Sequence, residues 1–281
     1  MARAGEAGYE NCHPVSKGGR EYAEKPMAWD PAQYLKFADH RLRPAVDLLN
    51  RIDLADPADV VDLGAGAGNV TKLIKLRWPN ARVTGVDTSP EMLAKAAASA
   101  PEIQWQLADL GAWRPTRPVD LIYSNAALHW VDGHDTLFAA LLSSLAPGGV
   151  LAVQMPRNFS APSHTSISDA ARNGPWRAKL EPLLRPSPTG DPAHYYGLLA
   201  PRAAALDIWE TEYLQILDGE NPVKEWTKGT WLRPLLAALD EPERSGFESD
   251  YAARTARAYP PQLDGRTLFP FRRLFIIAKA H

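Results

Sequence analysis

The ten residues Val60-Val61-Asp62-Leu63-Gly64-Ala65-Gly66-Ala67-Gly68-Asn69 carry a β-branched run straight into three alternating glycines. Asp87 follows 19 residues after Gly68, closing the stretch Arg82-Val83-Thr84-Gly85-Val86-Asp87. A short apolar strand, a tight glycine turn, a helix-length segment and a second strand ending in a carboxylate form a nucleotide-binding βαβ unit. Strands joined through a helix lie parallel, and a parallel sheet needs helices on both faces. The motif commits the chain to an α/β sheet whose ligand sits at the carboxyl ends of the strands.

The charge beside the glycines narrows that ligand. Asp62, two positions before Gly64, would repel a dinucleotide's pyrophosphate but suits the ammonium and sulfonium groups of S-adenosylmethionine. Asn69 stands where a dinucleotide binder carries its third glycine. The loop therefore points to methyl transfer rather than hydride transfer. Asp87 is placed to bind ribose hydroxyls, with a helix N-terminal carboxylate as the alternative reading. Asp109 closes a third run, Leu107-Ala108-Asp109-Leu110, where it can accept from an adenine amine or cap an exposed turn. Acids at three successive strand ends are the specific signal. A fourth run ends in Ser124-Asn125-Ala126-Ala127-Leu128-His129-Trp130. Asn125 then falls near the donor's methionine part, with His129 as ligand or packed ring and Trp130 as a cavity wall.

Between 59 and 156, further apolar runs at 103–107, 121–124 and 150–154 alternate with helical patterns. Ser89-Pro90 is a good helix start, and Leu145-Ala146-Pro147-Gly148-Gly149 is expected to end a helix and turn into a strand. Beyond 156 the pattern breaks into short helical segments such as 171–184. Strands are expected at 207–217 and 274–280. Between them 222–259 reads as helical, with Trp226, Trp231, Leu235, Leu236 and Leu239 sharing a face. The domain reading is a leader at 1–26 with Met27 as a functional start, a cofactor-binding core at 27–156, helical lid segments at 157–205 and 218–262, and final strands at 206–217 and 268–281.

Composition removes several function classes. Of 281 residues 23% are charged, with a formal net charge of -2, so no basic field holds nucleic acid. Apolar runs are far shorter than the roughly 20 residues that span a bilayer. Cys12 is the only cysteine, which excludes an intrachain disulfide or a Cys-based metal site and fits a reducing cytoplasm.

These motifs resemble the class I S-adenosylmethionine-dependent methyltransferases. Later segments, Trp29-Asp30-Pro31-Ala32-Gln33-Tyr34, Val153-Gln154-Met155-Pro156-Arg157-Asn158, His194-Tyr195-Tyr196, Leu232-Arg233-Pro234 and Phe271-Arg272-Arg273-Leu274, are similar to the branch of that class that methylates trans-aconitate. The resemblance implies a Rossmann-like, mostly parallel seven-stranded sheet. Helical insertions after strand 5 and between the last two strands would form a lid. It implies S-adenosylmethionine as cofactor, S-adenosylhomocysteine as product and no metal. The donor site would use Asp62, Gly64, Ala65, Gly66, Gly68, Asn69, Asp87, Thr88, Met92, Ala108, Asp109, Leu110, Asn125, Ala126, His129 and Trp130. The acceptor would be a small polycarboxylate, with neither nucleic acid nor membrane as partner and the oligomeric state open. Esterifying an ionised carboxylate needs no general base, so catalysis reduces to orientation. Three carboxylates entering a covered pocket need cations. Arg233 is the first candidate; Arg157 and Arg272 or Arg273 follow. Tyr34, Tyr195, Tyr196 and His129 are candidate hydrogen-bonding groups. The same fold also serves methyltransferases of other small molecules, and an idle cofactor-binding module is the reading from another class.

Overall fold

The computed structural model describes residues 38–281. The leader, Met27, Tyr34 and the 29–34 segment lie outside the described residues. Seven strands form one sheet: β1 (Asp59–Leu63), β2 (Arg82–Asp87), β3 (Gln104–Leu107), β4 (Val119–Asn125), β5 (Leu145–Pro156), β6 (Ala205–Leu217) and β7 (Thr267–Lys279). Their order is β3-β2-β1-β4-β5-β7-β6. The first five pair in parallel, and β7 inserts antiparallel between β5 and β6. The mostly parallel seven-stranded sheet implied by the sequence is the fold.

Strand alternation builds two cores. Val61, Leu63, Ile122, Leu151, Val153 and Ile276 face one way, against Leu137, Phe138 and Leu141 of helix His134–Ser143 and Leu199 of helix Pro192–Leu199. Val60, Leu121, Tyr123, Val150, Ala152 and Phe275 face the other, against helices Ala38–Arg51 and Asn69–Arg77. The buried Tyr123 hydroxyl donates to the Ala45 carbonyl at 2.7 Å, satisfying a polar group that the sheet would otherwise strand. Asp62 lies on this second face, which is why it meets Thr71 of the helix packed there.

Local signals placed the helix Pro90–Ser99 correctly: Ser89 caps it by accepting from the Met92 amide, with Pro90 in the first turn. The run 145–149 behaves differently from expectation. Strand β5 already begins at Leu145, with a register shift against β4 between Val119 and Leu121 that absorbs the Pro147-Gly148-Gly149 kink. β7 starts at Thr267, seven residues before the 274 of the strand pattern though one before the 268 of the domain reading, and pairs with the full length of β6.

The insertions are helical at Pro162–Asn173, Arg177–Leu180, Pro192–Leu199, Pro222–Lys228, Arg233–Ala237 and Glu243–Ala258. Trp231, Leu235, Leu236 and Leu239 do share a cluster, with Trp176, Phe247 and Tyr251. Trp226 does not. Residues 229–232 interrupt the helix, and Trp226 instead packs with Phe269 and Phe271 on β7 and with Tyr259 at the end of helix Glu243–Ala258.

Candidate active site

The glycine loop leaves β1 with Gly64 at φ +92° and Gly66 at φ +55°. Gly64 and Ala65 donate their amides to the Val86 carbonyl at 2.8 and 2.9 Å, locking the loop onto β2. A Cβ on Gly64 would stand 2.1 Å from that of Ala127, so the loop and the β4 end touch directly. A Cβ on Gly66 would meet nothing within 4 Å. That backbone stands open. Trp105 lies across Gly85 and Gly68 behind it, a packing role the sequence reading missed.

Asp62 is 2% exposed and accepts the Thr71 hydroxyl at 2.6 Å. Burial pushes its pKa up to about 7, opposed by the Thr71 hydrogen bond and assisted by the charge of Asp87. Asp87, half-buried at the end of β2, accepts the Gly66 amide on Oδ2 at 2.8 Å and the Ser89 amide on Oδ1 at 2.9 Å. It thus organises both the loop and the next helix N-terminus, and each oxygen keeps a lone pair. Asp109 accepts the Ala112 amide on Oδ1 at 2.8 Å, closing a turn after β3. Met92, Ala65 and Leu110 are buried around these acids, the Ala108 amide donates to the Asp87 carbonyl, and Asn69 and Thr88 are exposed.

Past β4 the chain is strained. Ala126 has φ 52°, a region that costs a residue with a side chain, and its amide is pinned to the Gln154 carbonyl at 2.9 Å. Three side chains at this turn present buried polar atoms with no hydrogen-bond partner, Asn125 Oδ1, His129 Nδ1 and Gln154 Nε2, and Arg233 Nη1 at the start of an inserted helix is a further one. Native interiors rarely tolerate such atoms, so their gathering marks a place built for a polar ligand. Burial, then the charge of Arg273, holds His129 down to about 3, so the ring is neutral at physiological pH. Trp130 stacks on Trp231 at 5.6 Å, and Trp231 meets Phe159 and His164 edge-on. Beside them lies a cleft of about 540 Å³ lined by His129, Trp130, His134, Arg185, His194 and Trp231. Arg185 escaped the sequence reading because it sits in irregular chain with no periodic neighbour.

The other candidates separate clearly. Arg157 is committed to the Gly190 carbonyl, Glu210 and Asp191. Arg272 is exposed and 3.8 Å from Glu212, whereas Arg273, pointing the opposite way, is 3% exposed and donates to Gln154 Oε1 at 3.3 Å. Tyr195 is fully buried, its hydroxyl 2.6 Å from His134 Nδ1 and accepting the Gly190 amide, while Tyr196 is 63% exposed. Among the described residues no group of three His, Cys, Asp or Glu could hold a metal ion, and no helix is long and apolar enough to cross a membrane.

The chemistry of the donor side fits S-adenosylmethionine. Gly66 leaves backbone open where a ligand can approach, Asp62 carries a carboxylate whose ionisation a cation would favour, and Asp87 has acceptor capacity left for hydroxyls. Residues 60–149 match the family described as a methyltransferase domain. Haemonchus contortus phosphoethanolamine N-methyltransferase 2, solved with S-adenosylhomocysteine, superposes with a TM-score of 0.52 at 14% identity, over 85% of this chain and 53% of that one. Fold and site together define a methyltransferase of the class dependent on S-adenosylmethionine. A trans-aconitate 2-methyltransferase of Azoarcus sp. (strain BH72) is 51% identical over 250 residues, 89% of this chain and 98% of that protein. One from Streptomyces avermitilis is 47% identical over 260 residues, 89% of this chain and 96% of its own. The chain belongs to the trans-aconitate 2-methyltransferase family.

Proposed function

We propose that this chain esterifies one carboxylate of trans-aconitate, a small tricarboxylate, to a monomethyl ester. The observation that carries the reading on the protein's side is Arg233, whose Nη1 is buried without a partner two residues beyond Trp231. A guanidinium with a buried, unused N–H suits an incoming carboxylate, which can accept from it. S-adenosylmethionine, when bound, supplies a methyl group on a sulfonium sulfur. A carboxylate oxygen forms the new bond to that methyl as the carbon–sulfur bond breaks, no proton moves, and the opposite charges cancel.

The chain's own residues then have three tasks. Asp62, the Gly64–Gly68 backbone, Asp87 and Asp109 hold the donor, with Asn125, Ala126 and His129 at its reactive end. Arg233 compensates the acceptor's charge. Trp130 and Trp231, with the 157–205 and 218–262 segments, cover the acceptor and exclude water. Cancelling charges across a dry site is favoured over doing so in water, where both ions are well solvated before reaction. A small-molecule acceptor and a net charge of -2 support an enzyme working without nucleic acid or membrane, and the single cysteine supports the cytoplasm.

The test is labelled-methyl transfer over small di- and tricarboxylates, with product mass and ester position determined. Trans-aconitate should be turned over well above its monomethyl esters and uncharged analogues. Turnover that survives removal of the acceptor's charges would refute the arginine clamp and favour another small-molecule acceptor. Arg233→Ala should raise the acceptor KM by roughly a hundredfold, the scale of one charge-assisted contact to a carboxylate, and leave donor affinity intact.

A further inference from the structure

The carboxyl edge of the sheet changes sign along its length. β1, β2 and the turn after β3 present Asp62, Asp87 and Asp109. β4 and β5 present amides instead, Asn125 and Gln154, which are register partners and so project side by side. β7, next in the sheet, presents the guanidinium of Arg273. The acidic half faces a cationic donor, and the other half is built for an anion.

Gln154 is the most informative residue of that second half. It is fully buried in the strand adjoining the β4 end, and its backbone carbonyl holds the strained Ala126 amide. A guanidinium can only donate, so the Arg273 hydrogen bond to Oε1 fixes which way the amide is turned. Nε2 is thereby turned away from Arg273, and it has no hydrogen-bond partner. A buried donor left unmade is costly to a fold unless a ligand uses it.

The step itself says what kind of donor belongs there. The attacking oxygen loses its charge as the new bond forms, so a cation pressed against it would stabilise the ground state more than the transition state. The two carboxylates that do not react keep their charge throughout and can be clamped by a cation without that loss. We propose that Gln154 is a catalytic residue whose Nε2 amide orients the reacting carboxylate as a neutral donor, while Arg233 clamps a non-reacting one and Arg273 acts as the positioning residue that aims the amide. The assignment rests on the proposed carboxyl methylation and adds the division between reacting and spectator carboxylates.

Two substitutions separate this role from a structural one. Gln154→Glu keeps an acceptor for Arg273 but removes the donor; Gln154→Met keeps the volume and removes both. Steady-state kinetics with trans-aconitate and S-adenosylmethionine, donor affinity by calorimetry and thermal melts are measured on the full chain. Gln154→Glu should melt near the wild-type temperature, and Gln154→Met, which takes the acceptor from the buried Arg273 donor, somewhat below it. Both should keep a folding transition and bind donor within about threefold of wild type. Their kcat should fall roughly a hundredfold, the scale of a misoriented reacting group, with a much smaller change in acceptor KM. An active Gln154→Glu would reduce the residue to a partner for Arg273 and overturn the assignment. So would a raised KM at unchanged kcat in Gln154→Met, or loss of the folding transition in both variants. A wild-type enzyme inactive on every polycarboxylate would instead bring down the proposed reaction, and this assignment with it.

Discussion

Asp62→Asn separates the cost that Asp62 imposes on the fold from the donor-binding role proposed for it. The wild-type carboxyl is pushed from its ordinary value of 3.8 to about 7, chiefly by burial. Its folded-state pKa lies above its unfolded one, so the folded state holds the proton more tightly. The stability from this group is fully present below about pH 4 and is lost as pH rises through about 7. One pKa unit is about 1.4 kcal/mol, and roughly two units are crossed between pH 5 and pH 7, so about 3 kcal/mol should be lost by pH 8. Asparagine still accepts from Thr71 but carries no charge, and loses nothing of this kind. His129 contributes the opposite slope: with a folded value near 3, its unfolded state binds the extra proton, and stability falls as pH drops below about 6.5. That slope is common to both proteins and cancels in their difference. Urea denaturation of wild type and variant at pH 5 and pH 8 gives the double difference. It should move by about 3 kcal/mol in favour of the variant at the higher pH, while calorimetry finds donor binding lost. A difference that shifts by less than about 0.5 kcal/mol would mean that Asp62 stays ionised throughout, and the burial argument would fail.

Gly66→Ala adds a Cβ into open space at φ +55°, so it should cost the fold only about 1–2 kcal/mol yet lower donor affinity at least about tenfold, as read by melts and calorimetry. Gly64→Ala, with its Cβ 2.1 Å from Ala127, should instead lose the folding transition or most of its melting temperature. Tyr195→Phe leaves His134 Nδ1 and the Gly190 amide without their shared partner, costing about 1–3 kcal/mol in urea denaturation. Its acceptor KM should hold, because the hydroxyl is already engaged inside the protein; a KM rise with unchanged stability would return Tyr195 to the acceptor.

What was legible in the chain was local. The βαβ unit is written within 28 consecutive residues, 60–87, where alternation and glycines describe neighbours that also meet in space, and the Ser89-Pro90 start just beyond it is equally local. Trp226 was misplaced because helical spacing assumes an uninterrupted helix, and the turn at 229–232 rotates everything after it. The early start of β5 was hidden because proline and glycine read as a turn, whereas the sheet tolerates them at a register shift. Between Arg272 and Arg273 the sequence did hold a deciding signal. Adjacent strand residues face opposite ways, and Arg273 shares its side with Phe271 and Phe275, both buried.

Donor and acceptor sides differ in how they are encoded. The acids at 62, 87 and 109 come from strands contiguous in sequence and in space, so one short motif and two offsets reveal them. The proposed anion-binding half draws on residues 125–129, 154, 233 and 273, from segments far apart in sequence that meet through sheet register, the Arg273–Gln154 hydrogen bond and Trp231 stacking on Trp130. No spacing rule reaches across those distances. Nor does residue type help, since Gln154 in Val150-Leu151-Ala152-Val153-Gln154 looks like the polar end of an ordinary core strand. The proposed role rests on a buried, unused Nε2 that is recognisable only in the folded chain. A glycine motif can therefore be shared by methyltransferases of many substrates, while the acceptor is chosen by side chains on the later strands and inserted helices. The charge reversal along the carboxyl edge is where the two halves meet, and it is the arrangement a reaction between a cation and an anion requires.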